Sequence, residues 1–554
     1  VTRWRLAVAA ALIVTAAPLC VAPLDLCARA GAWPEAVGAS RMTALARNTF
    51  FLVGGTLAIC VPAGVVAAVL LYRTDLPFRR ALRALVLVTL FVPLPLFTSG
   101  WQAAVGGGGW LPLPWWNKPR SDDTSFSSGG TVWTPWGQGI GTAVWVHAAA
   151  GLPWVAWLVG RGLLRVDREL EEDALTAAPP WRVLVRVSLP RASASVAGAA
   201  LWVALQTATE ITVTDVMQVR TYAEEVYNQF VLGDEGAQAR AVVVALPLTL
   251  TVAVLVLLAT RRWEKSLPPS LTYAGPPPTF RLGVWRWPAG LVMAAAAAVL
   301  VGIPVGSLVW RAGLSGVPQT WSAAVALHWV VLAWRSTASR IWNSLLTAAA
   351  AGILAATLAL LACWSALESR GFRAAVLVVM AAAWATPGPI LGLGLKSVIF
   401  QLVNWTGSDA IATLLYDGPS AAPVVWADVV RFFPCAAVVL WPALRTLPAE
   451  LREAARVEGA GPLRELVAVV VPLTANVWLL AALAAGVLAL GEVSASKLVA
   501  PAGCETWSHK VFDQMHYGVT NDLSARCLIL LAAVGTGAGA MGWLSRSTLN
   551  RAED

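Results

Sequence analysis

Few residues in this chain have the types and spacing to do chemistry on a substrate. Cys504, His509, Asp513 and His516 fall in one short window, and thiolate, imidazole and carboxylate together would suit a transition metal. Their spacing fits no justified ligand set, and the counterpart region near Tyr227 lacks the cysteine and both histidines. The window reads as an external surface loop, and no metal site is assigned. Gly392-Leu393-Gly394-Leu395-Lys396-Ser397 superficially suggests a phosphate loop, but it lacks Gly-x-x-x-x-Gly-Lys spacing and sits in an apolar run, so no nucleotide site is assigned. Its glycines, with Pro387 and Pro389, are better suited to breaking a helix or letting neighbours pack closely. Glu210 and Glu492 lie at the ends of apolar runs, where a carboxylate avoids lipid by facing a bundle interior or water. With Thr207, Thr212, Thr214, Ser494 and Ser496 nearby, they would line an external mouth that attracts a cation. The alternative is that both carboxylates structure a re-entrant loop through backbone hydrogen bonds. His147 and His328 are isolated and read as structural.

The elements that position these residues follow from composition. Of 554 residues, 58% are hydrophobic and 13% charged, against roughly 25% charged in an ordinary soluble domain; a soluble enzyme is excluded. Runs of about 18 or more weakly polar residues start near Arg5, Asn48, Ala81, Gly139, Ala192 and Arg240, and again near Trp285, Asn343, Ala374, Val424, Thr474 and Leu523. The expected fold is an all-α polytopic membrane protein of about 12 transmembrane helices in two six-helix bundles. The 29 tryptophans suit the headgroup level, where an apolar ring with one N–H donor is comfortable. Seven scattered cysteines without a Cys-x-x-Cys pair give no disulfide framework. The opening Thr2-Arg3-Trp4-Arg5 and the long apolar stretch to Pro23 read as a retained first helix rather than a cleaved signal.

A net charge of +9 hints at nucleic acid in a soluble chain, but here placement matters more, and no nucleic-acid partner is assigned. With both termini in the cytoplasm, roughly 25 of the 40 basic residues fall on the inner side, as the positive-inside rule requires. They include Arg73, Arg79, Arg80 and Arg83, the group from Arg161 to Arg191, and Arg445, Arg452, Arg456 and Arg464. Residues 1–265 are then a first half, 266–284 a Pro-rich cytoplasmic linker, and 285–554 a second half. Gly106 to Gly137, rich in Gly and Trp, is expected to be an external loop.

The halves repeat. Pro190 and Pro472 lie 282 residues apart, as do Glu210 and Glu492; Val226-Tyr227-Asn228-Gln229 answers Val511-Phe512-Asp513-Gln514, and Asn48-Thr49 answers Asn343-Ser344. Six helices with the same starting side make the repeat parallel, about an axis along the membrane normal, with a pathway between the halves.

One cytoplasmic loop in each half carries further information. In the second, over 445–472, Pro448 suits a first helical turn, acidic residues complement its positive end, and Gly459 can take the left-handed conformation that stops the helix. A short exposed helix is specified, with Leu451, Ala454 and Ala455 on one face, where small residues let another protein approach. Glu453-Ala454-Ala455, three residues, Gly459, then thirteen positions to Pro472 resembles the EAA loop of inner-membrane permeases in bacterial binding-protein-dependent ABC importers. The first half, over 161–190, has a degraded copy: Glu172-Asp173-Ala174, then Ala178 where Gly stands in the pattern, one residue short before Pro190.

The resemblance implies that each loop forms a coupling helix in a groove of a cytoplasmic ATPase. It assigns ATPase contact to Glu453, Ala454, Ala455 and Gly459, and to Glu172, Ala174 and Ala178. Two copies of a separate ATP-binding subunit and an extracytoplasmic solute-binding protein are the implied partners, besides membrane lipid. The chain itself would be no enzyme and bind no cofactor, ATP acting through the partner. The nearest likeness is to fused, two-halved ferric-iron permeases, on Glu210 to Asp215, Glu224 to Tyr227, Gly491 to Pro501 and Glu505-Thr506. That implies a bacterial inner-membrane location and ferric iron as the solute. Sulfate, molybdate, thiamine or a polyamine are alternatives, and an ion-coupled secondary transporter is the alternative of a different class.

Overall fold

The computed structural model describes residues 2–28, 38–105, 110–111, 139–232, 237–266 and 277–550. Most of the loop expected over 106–137, and residues 267–276 of the expected linker, lie outside the described residues. The chain is an all-α, multi-pass membrane protein. Among the described residues nine helices are long and apolar enough to cross a membrane, or eleven if each of two sharply bent pairs is one span.

In the N-terminal part the helices are α1 (Thr2–Ala28), α2 (Ala39–Arg73), α3 (Arg79–Thr89), α4 (Leu94–Val105), α5 (Ile140–Leu163), α6 (Arg168–Ala177), α7 (Ser193–Thr209), α8 (Tyr222–Leu232) and α9 (Ala237–Ser266). The C-terminal part begins with α10 (Gly283–Ala312), and a two-residue hairpin, β1 (Leu314–Ser315) with β2 (Thr320–Trp321), follows it. Then come α11 (Ala323–Glu368), α12 (Arg370–Ala385), α13 (Gly388–Thr406), α14 (Ala422–Arg445), α15 (Ala449–Val457), α16 (Val471–Ala489), α17 (Trp507–Met515) and α18 (Asn521–Asn550).

Three expected spans differ from their sequence reading. The one starting near Ala81 is broken, α3 and α4 meeting at 108°; the break that Pro387 and Pro389 suited in the span from Ala374 is present as well, α12 and α13 meeting at 114°. Pro93 and Pro387 stand at the breaks; proline has no N–H to donate and pushes its predecessor out of the helical region, and Thr386 is extended (φ −82°, ψ 120°). The helix expected from Asn343 starts twenty residues earlier and runs 46 residues, with a kink at Thr337 (φ −139°, ψ 18°). Arg335 and Arg340 interrupt the apolar run there and hid the continuity; the Arg526 guanidinium donates to Thr337 Oγ1 at the kink, 3.3 Å away. The segment expected from Ala192 is α7, whose 17 residues span roughly 26 Å at 1.5 Å per residue, below the roughly 30 Å hydrocarbon core.

Small residues set the packing. A Cβ on Gly352 of α11 would sit 2.3 Å from the Ala482 carbonyl oxygen and 2.9 Å from the Gly486 nitrogen of α16, so these two backbones touch directly, as small-residue interfaces allow. α1 packs mainly on α13, α11, α12 and α14 of the C-terminal part and also on α9 of the N-terminal part, while α10 packs on α4 and α18. Trp4 stacks on Trp364 with centroids 4.2 Å apart, and Phe78 meets Trp287 edge to face.

Candidate functional site

The two loops singled out by the resemblance both fold as a short helix, a turn and a second short helix that tightens into a π-turn. In α6, Asp167 caps the N-terminus by accepting from the Glu169 N–H at 3.1 Å, with Glu169 and Glu171 in the first turn complementing the helix dipole. α15 starts after Pro448, with Glu450 in its first turn. It ends on Gly459 at φ +83°. The Ala460 N–H donates to the Ala455 carbonyl at 2.9 Å and the Gly459 N–H to that of Arg456 at 3.0 Å, a complete Schellman closure. The first loop closes differently: Ala178 is extended (φ −145°, ψ 151°) and Pro179-Pro180 turn the chain. A left-handed alanine is unfavourable, and this turn needs none. The N-caps Asp167 and Pro448 lie 281 residues apart and the π-turns Leu184–Ser188 and Leu466–Val470 lie 282 apart. The missing residue of the first copy is therefore lost between cap and π-turn.

Of the residues assigned to ATPase contact, Glu453, Ala454, Gly459 and Glu172 are exposed, and Ala455, Ala174 and Ala178 are half-buried. Large apolar side chains stand out beside them: Val457 is 88% exposed, Leu463 71% and Trp181 62%. Exposed apolar side chains grouped beside a charged helix have the character of a contact surface. Sequence reading missed these residues, although an apolar residue closing a charged helix is a legible signal.

Behind each helix is a charge network that the sequence did not reveal. Glu171 and Arg73, both fully buried, pair at 2.5 Å, and the Ser188 hydroxyl donates to the other carboxylate oxygen of Glu171 at 2.5 Å. Arg73 also donates to the carbonyls of Leu163 (3.0 Å) and Pro278 (3.1 Å) and lies over the Phe280 ring. The Phe280 N–H donates to the Arg73 carbonyl at 2.7 Å, so the described end of the expected linker is stapled to α2. Behind α15, Arg452 and Arg456 each donate to Glu465 at 2.8 Å. Both also reach Glu368 at the end of α11, Arg452 at 2.6 Å, and Arg5 of α1 joins Glu368 at 3.0 Å. Hydrogen bonds to Glu465 and Glu368 hold the Arg456 guanidinium above its usual range.

At the other end of the helices, Glu210 follows α7 and accepts from the N–H groups of Thr212 (2.5 Å) and Val213 (2.9 Å). Glu492 accepts from those of Ala495 (2.9 Å) and Ser496 (2.8 Å), and from the Ser494 hydroxyl. Both carboxylates thus carry the backbone bonds of the loop-structuring alternative; Thr207 and Thr212 beside Glu210 are buried. The Cys504 window is not the surface loop expected: residues Trp507–Met515 form α17 with His509 and Phe512 buried, and the polar side chains of the window are divided among separate partners. His509 caps α17 with Thr506 and meets the Ser496 hydroxyl, Asp513 pairs with Lys497, and His516 meets Asp215 at 2.9 Å. Among the described residues no three His, Cys, Asp or Glu side chains converge as a metal site. Gly392 and Gly394 lie within α13, packed against Leu498 and Pro18.

The chain matches no family model and no curated protein sequence.

Proposed function

We propose that the chain is the membrane-spanning permease of an ATP-driven ABC importer, two homologous halves fused in one polypeptide of about twelve helices. It moves a small solute, ferric iron first, delivered by an extracytoplasmic binding protein across a bacterial inner membrane. Each cytoplasmic helix, α6 and α15, docks one ATPase subunit. The observation that supports this reading best is the pair of exposed short helices, each closed by a turn and a π-turn at matching intervals. Each is backed by ion pairs that carry its movement to the end of a long membrane helix, Arg73 on α2 and Glu368 on α11. A helix fixed in this way moves with the bundle, as differential stabilisation of two access states requires.

The test is the variant Glu453→Lys/Gly459→Pro. Proline fixes φ near −65°, so it removes the left-handed turn at φ +83° and with it the shape of the docking face. Loss of ATPase co-purification and of ATP-dependent uptake, with normal membrane insertion, is expected; unchanged co-purification and uptake would remove the assignment. A second reading has its own observation: Asp428 and Arg431 lie inside α14, and ionisable residues within a span also suit an ion-coupled secondary transporter. Uptake by proteoliposomes of the chain alone, driven by an ion gradient, would favour it.

A further inference from the structure

Arg431 lies nine residues into the 24-residue α14, far from either end. A guanidinium at that depth is costly unless it faces the bundle interior or water. It is half-buried, while Asp428, Val429, Val430 and Phe433 around it are buried. Along α14 the half-buried positions Arg431, Cys435, Val438 and Pro442 recur at intervals of four, three and four, one face of a helix. That face runs from Arg431 towards the cytoplasmic end at Arg445.

The guanidinium is held from two sides. It donates to the Thr386 carbonyl at 3.1 Å, the extended residue at the break between α12 and α13. It also donates to the Thr209 hydroxyl at 3.3 Å, the last residue of α7, from the N-terminal part of the chain. It interacts electrostatically with both Glu210 and Glu492, the two carboxylates that cap the loops after α7 and α16. One helical turn earlier, Asp428 is 2% exposed and its Oδ1 has no hydrogen-bond partner among the described residues. A buried carboxylate oxygen without a donor is costly, so it favours any state that brings a donor to it.

Resting on the transport reading above, we propose that Arg431 is the intramembrane latch of the gate. It ties α14 to the ends of α7 and α12 while the path is shut, and turns to Asp428 when the two parts separate. The bond to Thr209 is the one that opening must break. The ion pair with Asp428, three residues away on the same helix face, is the one that opening gains. Both are positioning roles; neither residue is assigned contact with the solute.

The experiment needs no ATPase and no binding protein, so its outcome is separate from that of the docking test. Cys435, one turn from Arg431, is the reporter in the full chain with its other six cysteines replaced by alanine. The chain is reconstituted in liposomes and labelled with a small membrane-impermeant cationic thiol reagent. Losing a hydrogen bond to a charged group is worth about one factor of ten in an equilibrium. Arg431→Met should therefore speed labelling about tenfold, and Arg431→Lys should restore the slow rate. Thr209→Val, which deletes only the cross-part acceptor, should speed it less and serves if Arg431→Met fails to insert. Asp428→Asn should slow labelling, because the open state loses its ion pair. Equal rates in the parent, Arg431→Met and Thr209→Val would overturn the latch, and faster labelling in Asp428→Asn would overturn its role as the second seat.

Discussion

Replacing Glu171 by alanine tests whether the network behind α6 is a structural brace. Arg73 and Glu171 are both fully buried and pair at 2.5 Å. Removing one partner of a buried ion pair costs about 3–5 kcal/mol, because the remaining charge is left uncompensated. Here the guanidinium would retain the Leu163 and Pro278 carbonyls at 3.0 and 3.1 Å and the Phe280 ring. The loss should therefore fall near the lower bound, about 3 kcal/mol, on the order of a hundredfold in the unfolding equilibrium. Two comparisons separate the brace from generic damage. Glu172→Ala breaks only the exposed i,i+4 pair with Arg168 and should cost no more than about 0.5 kcal/mol. Arg73→Met/Glu171→Leu replaces the pair by apolar side chains and should recover most of the loss, since buried ion pairs exchange for hydrophobic packing at little net cost. The assay is reversible unfolding of the full chain in mixed micelles, followed by circular dichroism against detergent composition. If Glu171→Ala were no worse than Glu172→Ala, the buried pair would not be holding α6 to α2.

Two further outcomes follow from the geometry. Gly352→Ala places a methyl against the Ala482 carbonyl and the Gly486 nitrogen; backbone cannot step aside, so a loss of about 1–3 kcal/mol is expected. Gly54→Ala, with nothing within 4 Å, should be neutral or mildly stabilising in the same unfolding assay. At the end of the helices away from α6 and α15, stability should fall as pH rises. Burial pushes the Glu224 carboxyl up to about 7 from 4.5, and the Asn228 bond only partly offsets this. The folded state thus binds that proton more tightly, and the stabilisation present below 4.5 is lost as pH rises to about 7. The hydrogen bond to Asp215 raises His516 above 6.5, so its contribution, full below 6.5, is lost as pH climbs through the raised value. Glu224→Gln should flatten the lower part of the stability profile and His516→Gln the upper part; parallel profiles for all three proteins would contradict both shifts.

Apolar run length was enough to read a many-helix membrane protein, because hydropathy is local and the bilayer fixes the length it must satisfy. It failed where the determinant was a backbone event inside an apolar run. Pro93 broke a span that composition alone makes continuous. Arg335 and Arg340 suggested an end where α11 continues through a kink. For the two repeated loops, Gly459 was legible because only a residue tolerant of positive φ closes a helix that way. Ala178 was not, since its turn is solved by extended backbone and prolines. The ion pairs were illegible for a simpler reason: Arg73 and Glu171 lie 98 residues apart, and nothing in a charged residue's own neighbourhood says that it will be fully buried. The same holds for Arg431 and Thr209, whose meeting depends on how α14 and α7 are placed.

The two braces use opposite polarity, and that difference has a consequence for assembly. The end of α2 supplies a cation, Arg73, to the anion Glu171 of α6. The end of α11 supplies an anion, Glu368, to the cations Arg452 and Arg456 of α15. A mispaired fold with α6 against α11 would set Glu171 beside Glu368, and one with α15 against α2 would set Arg452 and Arg456 beside Arg73. Both errors place like charges together with part of the surrounding water removed, where repulsion is strongest, so each short helix is directed to its own long helix by what it must avoid as well as by what it binds. In a chain whose two parts carry similar loops, charge polarity distinguishes the attachments that the shared backbone pattern leaves alike.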